Sequence, residues 1–354
     1  MKKMKILVTG GAGYIGTHIC VELLSQDYQI VIIDNLINSS FESLEKVSSI
    51  TGKKIIVADK GKLKPDLKDA NFIFINSDIN DRDALQFVFQ NQKIQGVIHL
   101  AGFKAVAESV RKPLDYYNNN VTGSIILFDE MAKAGVETLI FSSSATVYGN
   151  PESLPIDETS QTMGSNNPYG NSKLFIEIIL KDLSKINPNW RISLLRYFNP
   201  VGAHPSGLIG EAPKGLPNNL MPYICQVAAG KLKKLKIYGN NYPTSDGTGI
   251  RDYIHVVDLA KGHLATLDYL LKNKSKICIF NLGTGKGTSV LEMLAVFEKV
   301  TGKSIPFEIT KKREGDVAEC WASSELANKE LGWKAKYDIN KICEDAWRWQ
   351  KNNL

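Results

Sequence analysis

The sequence predicts an α/β protein with a doubly wound parallel sheet covered by helices on both faces, followed by a smaller C-terminal α/β substrate domain. Short apolar runs alternate with amphipathic segments through the first half, which is the pattern of strands buried on both faces. The length of 354 residues suits about two domains. Because a proline-rich stretch follows Arg196, we predict domains at 1–199 and 200–354, with some later segments returning to the first.

The elements of the first domain follow from the apolar runs. The predicted strands are Lys5–Val8, Gln29–Ile33, Asn71–Ile75, Gly96–Leu100, Thr138–Phe141 and Ile192–Tyr197. The amphipathic segments between them predict helices, for example Tyr14–Ser25 and Asp81–Asn91. Gly52–Lys68 is rich in Lys and Asp, and we expect a surface excursion there before the third strand.

Charge and cysteine content exclude several classes of protein. A net charge of +6, spread along the chain, is too small for a nucleic-acid partner but suits an anionic small molecule. The 5 cysteines are dispersed, which argues against a disulfide framework or structural zinc. The histidines have no ligand spacing, so we expect no metal. No apolar run is long enough for a signal peptide or a membrane span, and we expect a cytoplasmic protein with no membrane partner.

A glycine-rich turn follows the first predicted strand and opens the first predicted helix. Glycines at positions 10, 13 and 16 allow a tight turn and bring backbone N–H groups close to a pyrophosphate. Asp34 ends the second strand, where its carboxylate can accept hydrogen bonds from ribose hydroxyls and repel a 2′-phosphate. The combination predicts a Rossmann-type domain that binds NAD rather than NADP. Asp78 and Ile79, after the third strand, suit the adenine, although Asp78 equally suits a helix cap.

A hydroxyl donor, a phenol and a cation follow in the same domain. Tyr169 and Lys173 are four residues apart at the start of a predicted helix, so their side chains share one face. Ser142–Ser144 ends the fifth strand, on the edge where a doubly wound sheet binds its ligand. We take Ser144 as the candidate and expect the other two serines to cap their own backbone. A nearby ammonium and an oxidised nicotinamide would lower the pKa of the phenol and make it a usable base.

These motifs resemble those of the extended short-chain dehydrogenase/reductase family, and the chain from Lys5 to about Gln350 resembles its UDP-sugar 4-epimerases. The blocks that carry the resemblance are Ser142–Gly149, Pro168–Lys173, Leu195–Pro205, Pro217–Pro222, Asp246–Val256, Asn281–Gly283 and Arg313–Asp316. The resemblance implies interconversion of UDP-glucose and UDP-galactose by transient oxidation at C4 with tightly bound NAD. Tyr169 would take the proton of the 4-hydroxyl, Ser144 would bind O4, and Lys173 would bind the nicotinamide ribose and tune Tyr169.

The resemblance also implies the remaining ligands. The cofactor set is Gly10, Gly13, Tyr14, Ile15, Gly16, Asp34, Asn35, Asn38, Ser39, Asp78, Ile79, Leu100, Ala101, Gly102, Lys104, Asn119, Ser144, Tyr169, Lys173 and Phe198. The UDP-sugar set is Lys104, Ser144, Tyr169, Asn199, Asn219, Leu220, Lys236, Ile237, Tyr238, Arg251, Arg313, Asp316 and Cys320. It further implies a homodimer joined through the helices that contain Leu114–Met131 and Pro168–Leu183.

Cys320 bears on the range of sugars that the protein accepts. Many bacterial members carry a bulky Tyr in the position of Cys320, and a smaller side chain leaves room for a 2-acetamido group. We therefore expect UDP-GlcNAc and UDP-GalNAc to be substrates as well.

Three rival functions have to be weighed. A 4,6-dehydratase would need an Asp-Glu pair where this chain has Ala145 and Thr146. A UDP-glucuronate epimerase or decarboxylase, and a non-catalytic NAD-binding regulator, stay open as alternatives.

Overall fold

The computed structural model describes residues 4–58, 67, 70–273, 277–313 and 316–353. Its strands are β1 (Lys5–Thr9), β2 (Gln29–Asp34), β3 (Ile56–Val57), β4 (Phe72–Asn76), β5 (Gly96–His99), β6 (Thr138–Ser144), β7 (Arg191–Tyr197), β8 (Asn199–Val201), β9 (Leu235–Tyr238), β10 (Ile250–Arg251), β11 (Tyr253–His255), β12 (Ile277–Leu282), β13 (Thr288–Ser289), β14 (Phe307–Thr310) and β15 (Glu319–Cys320).

The helices alternate with the strands in the first half of the chain. They are α1 (Tyr14–Ser25), α2 (Phe41–Thr51), α3 (Arg82–Asn91), α4 (Val106–Arg111), α5 (Pro113–Tyr116), α6 (Gly123–Lys133), α7 (Pro168–Ile186), α8 (Leu220–Ala228), α9 (Val256–Lys272), α10 (Val290–Thr301), α11 (Glu325–Leu331) and α12 (Ile339–Asn352). A π-helical turn, Tyr117–Thr122, joins α5 to α6, and a 3₁₀ turn, Ala145–Tyr148, follows β6.

The main sheet has eight strands in the order β12-β7-β6-β5-β1-β2-β4-β3. The neighbours β1–β2, β1–β5, β2–β4, β3–β4 and β5–β6 are parallel. The order reverses at β1, which has β2 on one side and β5 on the other, and such a switch point opens a ligand crevice at the carboxyl ends of the strands. The predicted α/β fold with a doubly wound parallel sheet is confirmed.

Alternation along the strands directs side chains to helices on both faces of the sheet. Leu7, Val31 and Ile73 belong to a core shared with side chains of α3, α6 and α7. The neighbouring Phe74 has the opposite orientation and meets Phe41 of α2, with ring centroids 5.3 Å apart. Two strands of the sheet, β3 and β12, are absent from the prediction. The predicted excursion 52–68 contributes β3 and the buried Leu67, while residues 59–66 and 68 lie outside the described part.

The chain divides into two compact units. The first unit comprises Met1–Gly149, Thr162–Arg196 and His263–Phe280, and the second comprises Asn150–Gln161, Tyr197–Gly262 and Asn281–Leu354. The second unit has its own core, in which Ile224, Phe297 and Trp347 are buried. Its strands form three small sheets, in the orders β13-β10-β15, β11-β8 and β14-β9. Among the described helices, none combines the length and apolarity that a bilayer span requires.

Candidate active site

The glycine-rich turn between β1 and α1 has no room for side chains at two positions. Gly10 has φ +71°, and a Cβ there would lie 2.7 Å from the backbone nitrogen of Ala101. A Cβ on Gly16 would lie 2.5 Å from the carbonyl oxygen of Gly10. Gly13 precedes α1 and has no side chain to cap it, so the first N–H groups of the helix can receive an anion. The turn therefore has the shape and the donors that a pyrophosphate requires.

Asp34 accepts three hydrogen bonds, one from this turn and two from the loop after β2. Its Oδ2 accepts from the Ala12 backbone N–H at 3.0 Å. Its Oδ1 accepts from the Leu36 N–H at 2.9 Å and from the Ser39 hydroxyl at 2.8 Å. The carboxylate is partly exposed and keeps lone pairs for a ribose diol. Of the other polar candidates in this loop, Asn38 is exposed and Asn35 is partly buried.

Asp78 lines a cleft and does not cap a helix. The N-cap of α3 is Asp81, whose side chain accepts from the Ala84 N–H at 3.1 Å, so the alternative of Asp78 as a cap is wrong. Asp78 instead accepts from the Asn80 N–H at 2.8 Å and from the Asn35 side-chain amide at 2.6 Å. The cleft has a volume of about 500 Å³ and is lined by Ile37, Asp78, Asn80, Phe103, Asp115, Asn118 and Asn119. Ile37, Asn80, Asp115 and Asn118 are lining residues that the sequence prediction missed.

The loop after β5 is attached to the π-helical turn through Asn120. The Asn120 side chain accepts from the Phe103 N–H at 2.8 Å and donates to the Phe103 carbonyl at 3.1 Å. It also donates to the Ser172 hydroxyl of α7 at 3.0 Å and accepts from the Asn119 amide at 2.9 Å. A Cβ on Gly102 would lie 3.2 Å from this amide oxygen. The loop that carries the predicted cofactor residues Leu100, Ala101, Gly102 and Lys104 is therefore held, with Asn119, close to the start of α7.

The first turn of α7 carries Tyr169. Asn167 caps the helix by accepting from the Gly170 N–H at 2.9 Å, and Pro168 is the first helical residue. A Cβ on Gly170 would lie 2.3 Å from the Cβ of Ser165, so glycine lets the helix start close to that segment. The Ser144 hydroxyl, at the end of β6, accepts from the Thr146 N–H at 3.3 Å and is near enough to the Tyr169 phenol to lower its pKa. The structure thus brings two of the three predicted catalytic residues close together.

Lys173 and the serines of β6 complete the group. The Lys173 Nζ donates to the Ser142 carbonyl at 2.6 Å and lies 4.9 Å from the centre of the Phe141 ring. The Ser143 hydroxyl donates to Glu177 at 2.6 Å, so the expectation that it caps its own backbone is wrong. Tyr169, Lys173 and Ser144 therefore stand on two elements that hydrogen bonds hold together.

Burial and charge set the proton affinities of this group. Burial raises the pKa of Tyr169, while the hydrogen bond from Ser144 and the charge of Lys104 lower it in part. Burial lowers the pKa of Lys173 to about 8. Burial, with the Lys173 charge as a smaller cause, lowers the pKa of His99 to about 3, so His99 is neutral at physiological pH. Lys104 is therefore a cation that favours the tyrosinate form of Tyr169.

The predicted uridine and diphosphate ligands lie in the second unit. Asn199 belongs to β8 and donates its N–H to the Asp252 carbonyl at 2.9 Å. Asn219 precedes α8, which starts at Leu220, and its side-chain amide donates to Glu211 at 2.7 Å. Arg251 of β10 is the register partner of Cys320 of β15. Phe198, a predicted cofactor residue, is also in this unit and buried.

Two cations of the second unit lie over tyrosine rings, one at the end of β9 and one in the loop that follows it. The Arg313 guanidinium carbon lies 3.8 Å from the ring centre of Tyr238, which follows Lys236 and Ile237 on that strand. The Lys312 Nζ lies 4.1 Å from the ring centre of Tyr242. Burial and the Asp316 charge raise the pKa of Tyr242, and the charges of Arg251 and Arg313 lower it in part.

The sequence prediction did not include Tyr242. The charges that act on its phenol come from the predicted ligands Arg251, Arg313 and Asp316, so the structure gathers these three residues around it. Its place five residues before Gly247, in a loop without periodicity, gives no local signal of this role. Guanidinium groups held in this way suit a diphosphate, because each offers a fork of N–H donors.

Comparisons with known proteins agree with this geometry. The sequence profile of the NAD dependent epimerase/dehydratase family matches residues 6–283. A UDP-glucose 4-epimerase of Yersinia enterocolitica is 57% identical over 350 residues, which cover 99% of this chain and 98% of that protein. The crystal structure of a UDP-glucose 4-epimerase from Bifidobacterium longum in complex with NAD+ and UDP has a TM-score of 0.91 and 49% identity, with 99% of each chain covered. A UDP-glucose-4-epimerase from Stenotrophomonas maltophila, with bound NAD and formylated UDP-arabinopyranose, has a TM-score of 0.92 and 46% identity, again with 99% of each chain covered.

Proposed function

The chain belongs to the NAD dependent epimerase/dehydratase family, and we propose that it interconverts UDP-glucose and UDP-galactose by epimerisation at C4 of the sugar. NAD is its cofactor. The observation that carries the proposal is the contact of Lys173 with the end of β6: its ammonium donates to the Ser142 carbonyl at 2.6 Å, and it lies one helical turn after Tyr169. A hydroxyl, a phenol and a cation on adjoining elements are the groups that a reversible alcohol oxidation requires.

The residues of the first unit fit NAD. The turn at Gly10 and Gly16 admits no side chain and leaves backbone donors for the pyrophosphate. Asp34 offers a carboxylate for the ribose, and the cleft at Asp78 and Asn119 has the volume for an adenosine half. When bound, NAD supplies a hydride acceptor for C4 of the sugar and returns the hydride to the opposite face.

The chain moves the proton of the 4-hydroxyl. Tyr169 accepts this proton as C4 is oxidised and gives it back when the 4-keto sugar is reduced. Ser144 donates a hydrogen bond that favours the tyrosinate form, and the Lys104 charge acts in the same direction. Lys173 is held by the Ser142 carbonyl, and we assign its ammonium to the nicotinamide ribose.

The second unit supplies the ligands of UDP. Arg313, stacked on Tyr238, and Arg251 offer guanidinium forks to the diphosphate. The side-chain amides of Asn199 and Asn219 offer donors and acceptors of their own. Because these residues act on the nucleotide and not on C4, we expect their loss to raise KM more than it lowers kcat.

The experiment that tests the function is an assay of the purified protein with UDP-galactose and no added NAD. The protein should form UDP-glucose, and Tyr169→Phe should lower turnover by about 10²–10⁴ while it still binds NAD. Tyr269→Phe, which removes a phenolic hydroxyl from α9, is the matched control and should keep its turnover. Absence of product from the unmodified protein, or near-normal turnover of Tyr169→Phe, would refute the proposal.

The substrate range includes the N-acetylated sugars. Cys320 is a small residue in register with Arg251 of the neighbouring strand, and burial raises the pKa of its thiol to about 11, so it is an uncharged lining group. A tyrosine there would occupy the space that we assign to a 2-acetamido group. Cys320→Tyr should lose epimerisation of UDP-GalNAc and keep that of UDP-galactose. Equal loss of both activities, or of neither, would count against this assignment.

We further propose a cytoplasmic homodimer with no nucleic-acid or membrane partner. Several large apolar side chains of α5, α6 and α7 are exposed on the first unit, among them Leu114 at 78%, Ile125 at 46%, Phe175 at 45% and Ile178 at 46%. Such a patch on the predicted segments 114–131 and 168–183 suits the burial of helices against a second copy.

A further inference from the structure

A buried ion pair in the first unit joins the elements that carry the catalytic residues. Arg196 of β7 donates from Nε to Glu177 Oε1 at 2.9 Å and from Nη2 to Glu177 Oε2 at 2.7 Å. Both side chains are at most 1% exposed. Glu177 lies on α7 one turn after Lys173 and two turns after Tyr169. A two-point contact of this kind fixes the orientation of both groups as well as their separation.

The same carboxylate reaches the strand that ends in Ser144. The Ser143 hydroxyl donates to Glu177 Oε1 at 2.6 Å, and Ser143 is flanked by Ser142 and Ser144 in β6. On the other side, the guanidinium carbon of Arg196 lies 4.7 Å from the ring centre of Tyr148, in the 3₁₀ turn that follows Ser144. One carboxylate and its cation therefore contact α7, β6, β7 and the turn after β6.

We propose that the Glu177–Arg196 pair is a positioning device of the active site, which keeps Ser144 on β6 in register with Tyr169 and Lys173 on α7. Stability does not explain the pair, because apolar residues of similar volume often replace a buried ion pair without loss. Neither residue touches the reacting atoms. The inference rests on the proposed function, since it assigns a role to these catalytic residues.

The pair also shields the active site from a charge. Glu177 is a carboxylate one turn from Lys173, and its charge is offset by the paired Arg196 guanidinium and by the Lys181 ammonium, 3.8 Å from Oε2. Lys173 also has the neutral His99, the Ser142 carbonyl and the Phe141 ring near it, and Lys104 and Tyr116 are the titratable groups that interact with Tyr169.

The two single substitutions should therefore shift the pH profile in opposite directions. Glu177→Gln leaves the Arg196 cation uncompensated, which disfavours a protonated lysine and favours a tyrosinate, so the pKa of either group falls. Arg196→Met leaves the Glu177 anion with only the partly exposed Lys181 ammonium, 3.8 Å from Oε2, so the pKa of either group rises, by less than it falls in Glu177→Gln. Each shift should be about one to two pH units, the order expected for a unit charge two turns (Tyr169) or one turn (Lys173) away at an effective dielectric constant near 20.

The experiment is the pH dependence of kcat for UDP-galactose in Glu177→Gln, in Arg196→Met and in the double variant. The alkaline midpoint should fall in the first, rise in the second and return close to the original value in the third. Asp182→Asn is the matched control on α7, because it removes an exposed carboxylate that pairs with Lys185 at 2.8 Å, and its midpoint should not move. Ser143→Ala should lower kcat without moving the midpoint, since it breaks the link to β6 and changes no charge.

A second readout does not depend on turnover. The tyrosinate absorbance of Tyr169 is followed against pH as the difference between each variant and the same variant with Tyr169→Phe, and its midpoint should move with the same signs. Midpoints that stay in place, or that move in the same direction in both single variants, would overturn the inference. If Arg196→Met does not fold, the midpoint of Glu177→Gln is compared with that of Ser143→Ala. A lower midpoint in Glu177→Gln alone supports the inference, and equal midpoints overturn it. An unmodified protein without epimerase activity would refute the proposed function instead, and the tyrosinate titration would still test the pair.

Discussion

Replacement of Lys173 by methionine should stabilise the first unit at neutral pH. Burial lowers the pKa of Lys173 from 10.5 to about 8, which at about 1.4 kcal/mol per pKa unit corresponds to about 3 kcal/mol against the charged form. The substitution also removes the hydrogen bond to the Ser142 carbonyl, and an unsatisfied buried acceptor costs about 1–3 kcal/mol. The net gain of Lys173→Met at pH 7 is therefore about 0–2 kcal/mol, although the variant should lose epimerase activity.

The stability difference between Lys173→Met and the unmodified protein should depend on pH. Below pH 8 both the folded and the unfolded protein carry the Lys173 proton, and the full penalty of burial is present. Between about pH 8 and 10.5 the folded protein releases a proton that the unfolded chain retains, so the unmodified protein gains stability as the pH rises. The advantage of Lys173→Met should therefore shrink by about 3 kcal/mol across this interval.

Urea denaturation of both proteins from pH 7 to 10.5, at matched NAD content, measures the difference in unfolding free energy. Lys185→Met is the control on the same helix, because that side chain is 74% exposed and its removal should change stability by less than about 0.5 kcal/mol at every pH. A difference between Lys173→Met and the unmodified protein that is constant with pH, or that grows as the pH rises, would show that the buried ammonium carries no such penalty.

Two further predictions concern the cofactor turn and the apolar patch. Gly16→Ala should lower the free energy of unfolding by about 1–3 kcal/mol and reduce the NAD retained on purification, because its methyl group would lie 2.5 Å from a backbone oxygen. Gly96→Ala is the control: the nearest contact of its methyl group would be at 3.4 Å, so this variant should retain NAD. Equal NAD content in the two variants would refute this reasoning. Leu114→Asp should convert the proposed dimer to monomers in sedimentation experiments, while Leu216→Asp, an equally drastic change at a residue 62% exposed on the second unit, should not. A dimer that survives Leu114→Asp would exclude this patch as the interface.

The sequence predicts the centre of the main sheet well because each strand there is buried on both faces. β1 is apolar except at its ends, and its five residues are all buried, so composition alone reveals it. By contrast, β3 is two residues long in a lysine-rich stretch, and β12 joins the sheet from far along the chain. Nothing local to Ile277–Leu282 indicates which sheet accepts it, since pairing across such a separation depends on the whole fold.

The site shows the same division between local and distant information. The glycine turn and the Tyr169–Lys173 spacing can be recognised locally. The choice between Asp78 and Asp81 as a helix cap cannot, because both are acidic and only the backbone at the start of α3 decides. In the sequence, Glu177 resembles an ordinary polar residue on a helix. Its ion pair with Arg196, which lies on a strand, becomes visible only in the folded structure.

The division of the first unit into three chain segments has a consequence for synthesis on the ribosome. After Arg196 emerges, residues 197–262 must be translated before the final segment, His263–Phe280, becomes available. At about 5–20 residues per second this delay lasts on the order of several seconds. Throughout that interval β7 has no β12 beside it and presents the open edge of a nascent sheet, which is a template for pairing with another chain. The nascent protein therefore has a defined period in which a chaperone at this edge would protect it from aggregation.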